Sequence, residues 1–383
     1  MTASGLGPLT SALLTLCRVT SKTIWAFLET RYGSGFAGLM EVTLPNREAA
    51  LVQAFERLPD TAFASAAREA RPEDPLPVAT LLNGLAFARA DAAARAAAVS
   101  LARHLGRTGD AVPVYANINR RTTDRSPEGF AASARHALAK GFRAFKIAPF
   151  DEVNLHACAA GDGERLMQAG LARLAAVREA VGPDAELMAD CHWRFDAATA
   201  ERLTSAIRPL NLHWLECPVP ETDEFMPVLK TLRARVNVSG TRLAGLEEFT
   251  GAEGFLRFAR AGCYDAMMPD VKYVGGPEEL QRTAELIAAL GVEVSPHNPT
   301  GPVCHAVSAH ASGGLPGFTR LEMQIDETPL FDELATTPCP APAAGLLPLP
   351  EGDGHGVTLA PATVSATRVL SVSRWFSPQG PRA

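Results

Sequence analysis

Several protein classes leave marks that this sequence does not carry. It has no run of about 18 apolar residues, so nothing in it reads as a membrane span. It has no basic stretch, and its net charge is −6, which makes nucleic acid and anionic membrane surfaces poor partners. Its seven cysteines are scattered singly without a CxxC pair, which argues against a disulfide framework or a thiolate metal site. A reducing, cytoplasmic setting is the simple reading. No strand leads through a GxGxxG string into a helix, so a dinucleotide-binding sheet has little support. The opening MTASGLGPLTSALLTLC is mildly apolar but has no basic residue ahead of its apolar part, so a secretory leader is the lesser reading.

What is present is a chain of 383 residues, 47% apolar and 20% charged, long enough for two domains or a barrel with an appendage. Residues 1–110 read as a small α+β domain. Ile24–Thr30 and Gly38–Thr43 flank the turn Gly33-Ser34-Gly35 and predict a hairpin, and the strand-like segment before Ser21 is weak. Helices are expected over Arg47–Arg57, Phe63–Ala70, Val78–Phe87 and Ala90–Leu105.

Over residues 111–340, short apolar strands alternate with amphipathic helices. The strands are expected at Pro113–Ile118, Ala144–Ala148, Glu186–Asp190, His213–Glu216, Arg242–Gly245, Ala266–Pro269, Val292–Ser295 and Thr319–Met323. Helices are expected over Pro127–Lys140, Arg165–Val181, Ala197–Ile207 and Pro277–Leu290, the first opened by a Ser126 cap and a proline at its first turn. This rhythm predicts an α/β fold, a (β/α)8 barrel of the TIM type. Residues 341–383 are Pro/Gly-rich, then strand-like at Gly356–Leu359 and Ala366–Val372, and are expected to return to the small domain.

In such a barrel the chemistry sits at the C-terminal ends of the strands. Here the third strand ends in Asp190, the fourth in Glu216, and the fifth in Glu247-Glu248. One acid after an apolar run is as readily a helix cap. Three from consecutive strands repel one another and call for a cation, and an all-oxygen set favours Mg²⁺ over zinc. The sixth and seventh strands end in Met268-Pro269-Asp270 and Ser295-Pro296-His297. Adjacent strand ends can place Asp270 beside His297, orienting the imidazole as a general base.

These residues, with Lys146 and Glu322, resemble the mandelate-racemase-like branch of the enolase superfamily. The strings that carry the likeness are FKIAPFD, MADCHWRFD, WLECPVPE, AGLEEFTG, MPDVKYVGG and SPHNPTGPV, and LPEGDGHGVTLAP resembles the family's return into the cap. The resemblance covers about residues 20–375. It implies that the small domain caps the barrel mouth and that Asp190, Glu216 and Glu247 bind Mg²⁺, with Glu247 preferred to Glu248 by its spacing to Gly251. It further implies that His297, oriented by Asp270, removes a proton next to a substrate carboxylate, while Lys146 and Glu322 stabilise the developing charge.

Two departures narrow this. Relatives often carry Lys-x-Lys on the second strand, whereas Lys146-Ile147-Ala148 puts a methyl where the second lysine would point, which argues against racemisation. His192, two residues past Asp190, resembles the acid of relatives that dehydrate sugar acids; the alternative is that it only orders the loop or touches substrate. Trp193 beside it either walls the pocket or packs under the cap. Asn117 opens the first barrel loop, Asn117–Asp124, which with Lys146 and Trp193 is expected to meet substrate. The leading expectation is an acid-sugar dehydratase acting on a small carboxylate, and a symmetric homo-oligomer is the default assembly. A racemase or epimerase using Lys146 opposite His297, and a silent carboxylate-binding paralogue, are the alternatives. A zinc hydrolase barrel would want His-x-His after the first strand, and Tyr115–Asn119 lacks it.

Overall fold

Residues 5–65 and 73–376 are described in the computed structural model. The strands, in chain order, are β1 (Leu9–Arg18), β2 (Ile24–Tyr32), β3 (Ala37–Glu41), β4 (Ala111–Asn117), β5 (Ala144–Ile147), β6 (Glu186–Asp190), β7 (Trp214–Glu216), β8 (Arg242–Gly245), β9 (Ala266–Met267), β10 (Glu293–Val294), β11 (Leu321–Gln324), β12 (Leu346–Pro348) and β13 (Arg368–Trp375). Strands β4 to β11 pair in parallel and in sequence order, with β11 on the far side of β4. A Val294–Phe318 bridge and the Thr319 amide donating to the Val294 carbonyl at 3.0 Å close the ring between β10 and the approach to β11. This is the α/β barrel expected from the sequence. Its interior below the mouth is filled by Tyr115, Met188, Trp214, Ala244 and Met268, so it is a packed core and not a pore.

The cap is a separate antiparallel sheet in the order β13-β1-β2-β3. Gly33–Gly38 spells the spacing of a phosphate-binding loop, but it joins two antiparallel strands and serves as the expected hairpin turn. The weak first strand is a correction: Leu9–Arg18 is a ten-residue strand paired on both edges. Leu14 and Leu16 pack into the main core, while Cys17 and its neighbour Val19 pack with Trp25 and Phe27 in a second cluster. Burial on both faces erases the alternation by which a strand is usually read.

The expected helices Val78–Phe87 and Ala90–Leu105 are one continuous helix, Leu76–Ala96, followed by a separate short turn, Leu101–His104, capped by Ser100. The break falls at Ala98, whose φ is +51°. Gly38 lies so close to the long helix that a methyl there would sit 1.7 Å from the Ala88 carbonyl oxygen. Of the expected Phe63–Ala70, the structure places Asp60–Ser65 in a helix, and residues 66–70 lie outside the described residues. Gly356–Leu359 forms no ladder; only a single bridge links Leu359 to Ala335. Ala366–Val372 is split between the end of a helix, Pro361–Thr367, and β13. Among the described residues no helix is long and apolar enough to cross a membrane.

Buried polar joints tie cap to barrel. Asn83, on the long cap helix, accepts hydrogen bonds from the Gly275 and Gly276 amides at 3.0 and 2.7 Å and donates to the Val271 carbonyl, holding the loop after β9. Glu41, at the end of β3, accepts from the Gly301 and Cys304 amides at 2.9 and 3.1 Å and so caps the helix Pro302–Ser312 that follows β10. Truncating Asn83 would strand two amides and a carbonyl in a dry interface. Asn83→Ala is therefore expected to cost about 2–3 kcal/mol, read as a lowered melting temperature. A variant that melts with the parent would show that the cap is not held at this point.

Candidate active site

The carboxylates sit where strand register puts them. Asp190 and Glu216 are direct partners across β6 and β7. After β8 the chain turns at Leu246, φ +71°, and its amide donates to the Glu221 carboxylate at 2.7 Å. This brings Glu247 inward, so that Asp190, Glu216 and Glu247 each offer an oxygen within 4.8 Å of the others, all buried. Glu248 does not join them: its side chain is 43% exposed and pairs with Arg47 at 3.4 Å.

Burial, then the charges of Asp190 and Glu216, push Glu247 well above the usual carboxylate range. Burial also raises Glu216 to about 7, although Lys146 pulls the other way. One oxygen of Glu247, Oε2, is buried with no hydrogen-bond partner. An orphaned oxygen beside two further carboxylates is a hard-oxygen donor set, and the three residues fit a divalent cation such as Mg²⁺.

Across the ring stands the imidazole of His297. Its Nδ1 is 2.7 Å from Asp270 Oδ2, and its Nε2 faces the carboxylates, 3.6 Å from Glu247 Oε2 and 3.9 Å from Glu322 Oε2. Burial works against ionisation of Asp270, but Lys272 and His297 outweigh it and hold the carboxyl below its ordinary range. An ionised Asp270 makes Nδ1 the donor and leaves the Nε2 lone pair aimed into the site. Lys272 was not singled out from the sequence. Its Nζ lies 2.9 Å from the same Asp270 oxygen, fully buried, with its charge further satisfied over the Tyr273 ring. The signal for it was the Asp-x-Lys spacing within MPDVKYVGG: the chain turns directly after Asp270, with the Tyr273 and Val274 amides donating to the Asp270 carbonyl at 2.9 and 3.0 Å, and this folds the lysine back onto the carboxylate.

Lys146 reaches the ring from β5, 2.7 Å from Glu216 Oε1 and 3.1 Å from Glu322 Oε1. Burial opposes its charge, but Glu216 and Glu322 more than offset that, so the ammonium stays protonated. Glu322 also accepts from Asn117 Nδ2 at 2.6 Å and from the Asn298 amide at 3.0 Å. Trp214 donates its indole N–H to the second Glu216 oxygen at 2.9 Å. Asn298, next to His297, thereby links the loop after β10 to β11, a connection the sequence did not reveal.

His192 lies at the open side of the ring. Its Nε2 is 2.9 Å from Asp190 Oδ2, its own amide donates to Asp190 Oδ1 at 3.0 Å, and its side chain is 40% exposed. The Asp190 charge raises the imidazole above its ordinary value against the pull of burial. His192 and Trp193 both adopt left-handed backbone, φ +47° and +55°, a strained pair for bulky residues. Trp193 is half-buried, and its indole donates to the Glu221 carboxylate at 2.9 Å. Ala148 is buried at the place after Lys146 and offers only a methyl.

Residues 129–363 match the family model described as enolase C-terminal domain-like. The chain is 30% identical over 283 residues to a D-gluconate dehydratase of Thermoproteus tenax, covering 73% of this chain and 54% of that protein. It is 33% identical over 201 residues to an L-rhamnonate dehydratase of Saccharopolyspora erythraea, covering 52% of this chain and 50% of that one. The chain thus spans about half the length of the curated relatives it matches. A mandelate racemase/muconate lactonizing enzyme from Jannaschia sp. CCS1 superposes with a TM-score of 0.79 at 24% identity, over 94% of this chain and 98% of that one. An enolase superfamily member from Salmonella Typhimurium superposes with the same score, 0.79, at 19% identity, over 96% and 99%. With a family match over more than half its length and a curled parallel sheet under an antiparallel cap, the chain belongs to the enolase superfamily, in its mandelate-racemase-like branch.

Proposed function

We propose that the protein is an acid-sugar dehydratase, which removes the proton next to a substrate carboxylate and then expels the β-hydroxyl as water. One observation carries this reading above others in the family: a second imidazole, His192, stands on Asp190 at the open side of the ring, apart from the Asp270-supported His297. The curated relatives named as dehydratases of gluconate and rhamnonate support it.

Asp190, Glu216 and Glu247 would hold Mg²⁺, which when bound supplies a Lewis acid that neutralises charge developing on the substrate carboxylate. His297 Nε2 takes the α-proton, and the C–H pair moves toward the carboxylate. Lys146, held charged between Glu216 and Glu322, faces that developing negative charge with a preorganised ammonium. As the electron pair returns, the β-carbon–oxygen bond breaks and the departing hydroxyl takes the proton from His192 Nε2. The enol left behind becomes a 2-keto-3-deoxy acid by tautomerisation.

The racemase alternative needs a neutral base on the opposite face of the carbon. Lys146 is protonated and spent on two carboxylates, and Ala148 carries no proton, so neither supports it.

Replacing the base should stop everything: His297→Asn is expected to lower both solvent-deuterium exchange at the α-carbon and keto-acid formation by about a hundredfold or more. His192→Gln separates the two steps. Exchange should persist while keto acid is lost, and equal loss of both would reassign His192 to substrate binding. For the metal, chelation should abolish keto-acid formation and Mg²⁺ should raise the melting temperature. Because burial and its acidic neighbours push Glu247 up, protons compete with the cation there, so Mg²⁺ affinity measured by calorimetry should weaken as pH falls. Affinity independent of pH would count against Glu247 as a ligand.

A further inference from the structure

A cavity of about 920 Å³ lies between cap and barrel, bounded on one side by the β1–β2 turn and the segment after β3, and on the other by loops after β4, β5 and β11. Those three strands are neighbours, and they present Asn117, Lys146 and Glu322 to the ring below. The barrel wall of the cavity continues directly from the site: Asn119 donates its amide to Asn117 Oδ1 at 2.9 Å, and Asn117 Nδ2 donates to Glu322.

The charges of this cavity are matched. Its lining holds three cations, Lys22, Arg120 and Arg125, against three carboxylates, Glu48, Asp151 and Glu327. Arg125 is fully spent: it grips both Asp151 oxygens at 2.7 and 2.9 Å and donates to the Ala148 carbonyl at 2.7 Å and to Asn119 Oδ1 at 2.8 Å. Arg120 is 3.1 Å from one Glu327 oxygen, and Thr23 donates its hydroxyl to the other at 2.5 Å. A second carboxylate arriving beside Arg120 would find that guanidinium already neutralised, and taking it would leave Glu327, whose side chain is 8% exposed, without its counter-charge. The rest of the lining is rich in hydroxyl and amide groups, among them Thr20, Ser21, Thr123 and Asn46, which suit a chain of hydroxyls.

We propose that this cavity receives the uncharged polyhydroxyl tail of a monocarboxylic sugar acid, and that the Arg120–Glu327 pair turns away the dicarboxylic acid of the same carbon skeleton. The inference rests on the site acting on a sugar acid and names which class.

The test is equilibrium binding to the magnesium-loaded full chain by calorimetry, with two matched pairs: D-gluconate against D-glucarate, and D-xylonate against D-xylarate. The monoacid of at least one pair should bind about tenfold or more tighter than its diacid. Glu327→Gln removes the counter-charge and should narrow that ratio by tightening the diacid, while Arg120→Gln, which leaves Glu327 unpaired, should widen it. The two variants act in opposite directions, so a general loosening of the loop would move both ratios alike and overturn the proposal. Diacids that match or exceed monoacids on the parent, or a ratio that Glu327→Gln does not move, would also overturn it. Keto acid is measured in the same samples. Monoacid preference without loss of water upholds the tail assignment and sinks the dehydratase; water loss with diacid preference does the reverse. Failure of all four acids to bind overturns both.

Discussion

Three buried carboxylates facing one another at the barrel mouth are the constraint that the rest of the site answers to. In a low-dielectric setting their repulsion is costly, and the fold offsets it from several sides. Lys146 lies between Glu216 and Glu322, Trp214 supplies a hydrogen bond from below, and His192 leans on Asp190 from the solvent side. What these neighbours do not supply is a hydrogen-bond partner for Glu247 Oε2, and the three carboxylates together fit a divalent cation.

The imidazole side is built on the same logic with the sign reversed. Asp270 receives both His297 and Lys272 on one oxygen and the Lys272 amide on the other. A carboxylate so surrounded stays ionised and cannot swing, so the imidazole it holds has one tautomer and one orientation. The loops that carry this pair are in turn held from the cap, through Asn83 and Glu41. Cap and barrel are thus joined by groups that would be unsatisfied apart.

The barrel was legible because its strands are short apolar runs set between amphipathic helices, and Asp190, Glu216 and Gly245 end theirs where expected. Asp190, Glu216 and the His297–Asp270 pair could be placed together from strand order, since neighbouring parallel strands put their ends side by side, while the choice of Glu247 over Glu248 came from the family resemblance. What escaped reading was of two kinds. β1 and the long cap helix were misjudged because burial on both faces, and an alanine-rich surface, flatten the contrast that marks an element. Asn83 and Glu41 escaped because their meaning lies in contacts across the fold; Asn83 meets Val271 from 188 positions away, and Glu41 meets Gly301 from 260. No local pattern encodes a partner at that distance.

One feature of the cap bears on how the molecule is made. Strand β1, near the start of the chain, lies between β2 and β13, pairing Leu14 with Val372 across almost the whole length of the polypeptide. During synthesis the eight barrel strands leave the ribosome before β13 does, so the edge of β1 waits unpaired while the barrel assembles. The cap sheet is therefore completed last. A chain interrupted before Arg368 would carry all the side chains of the candidate site beside an open strand edge, a form suited to capture by chaperones or to aggregation.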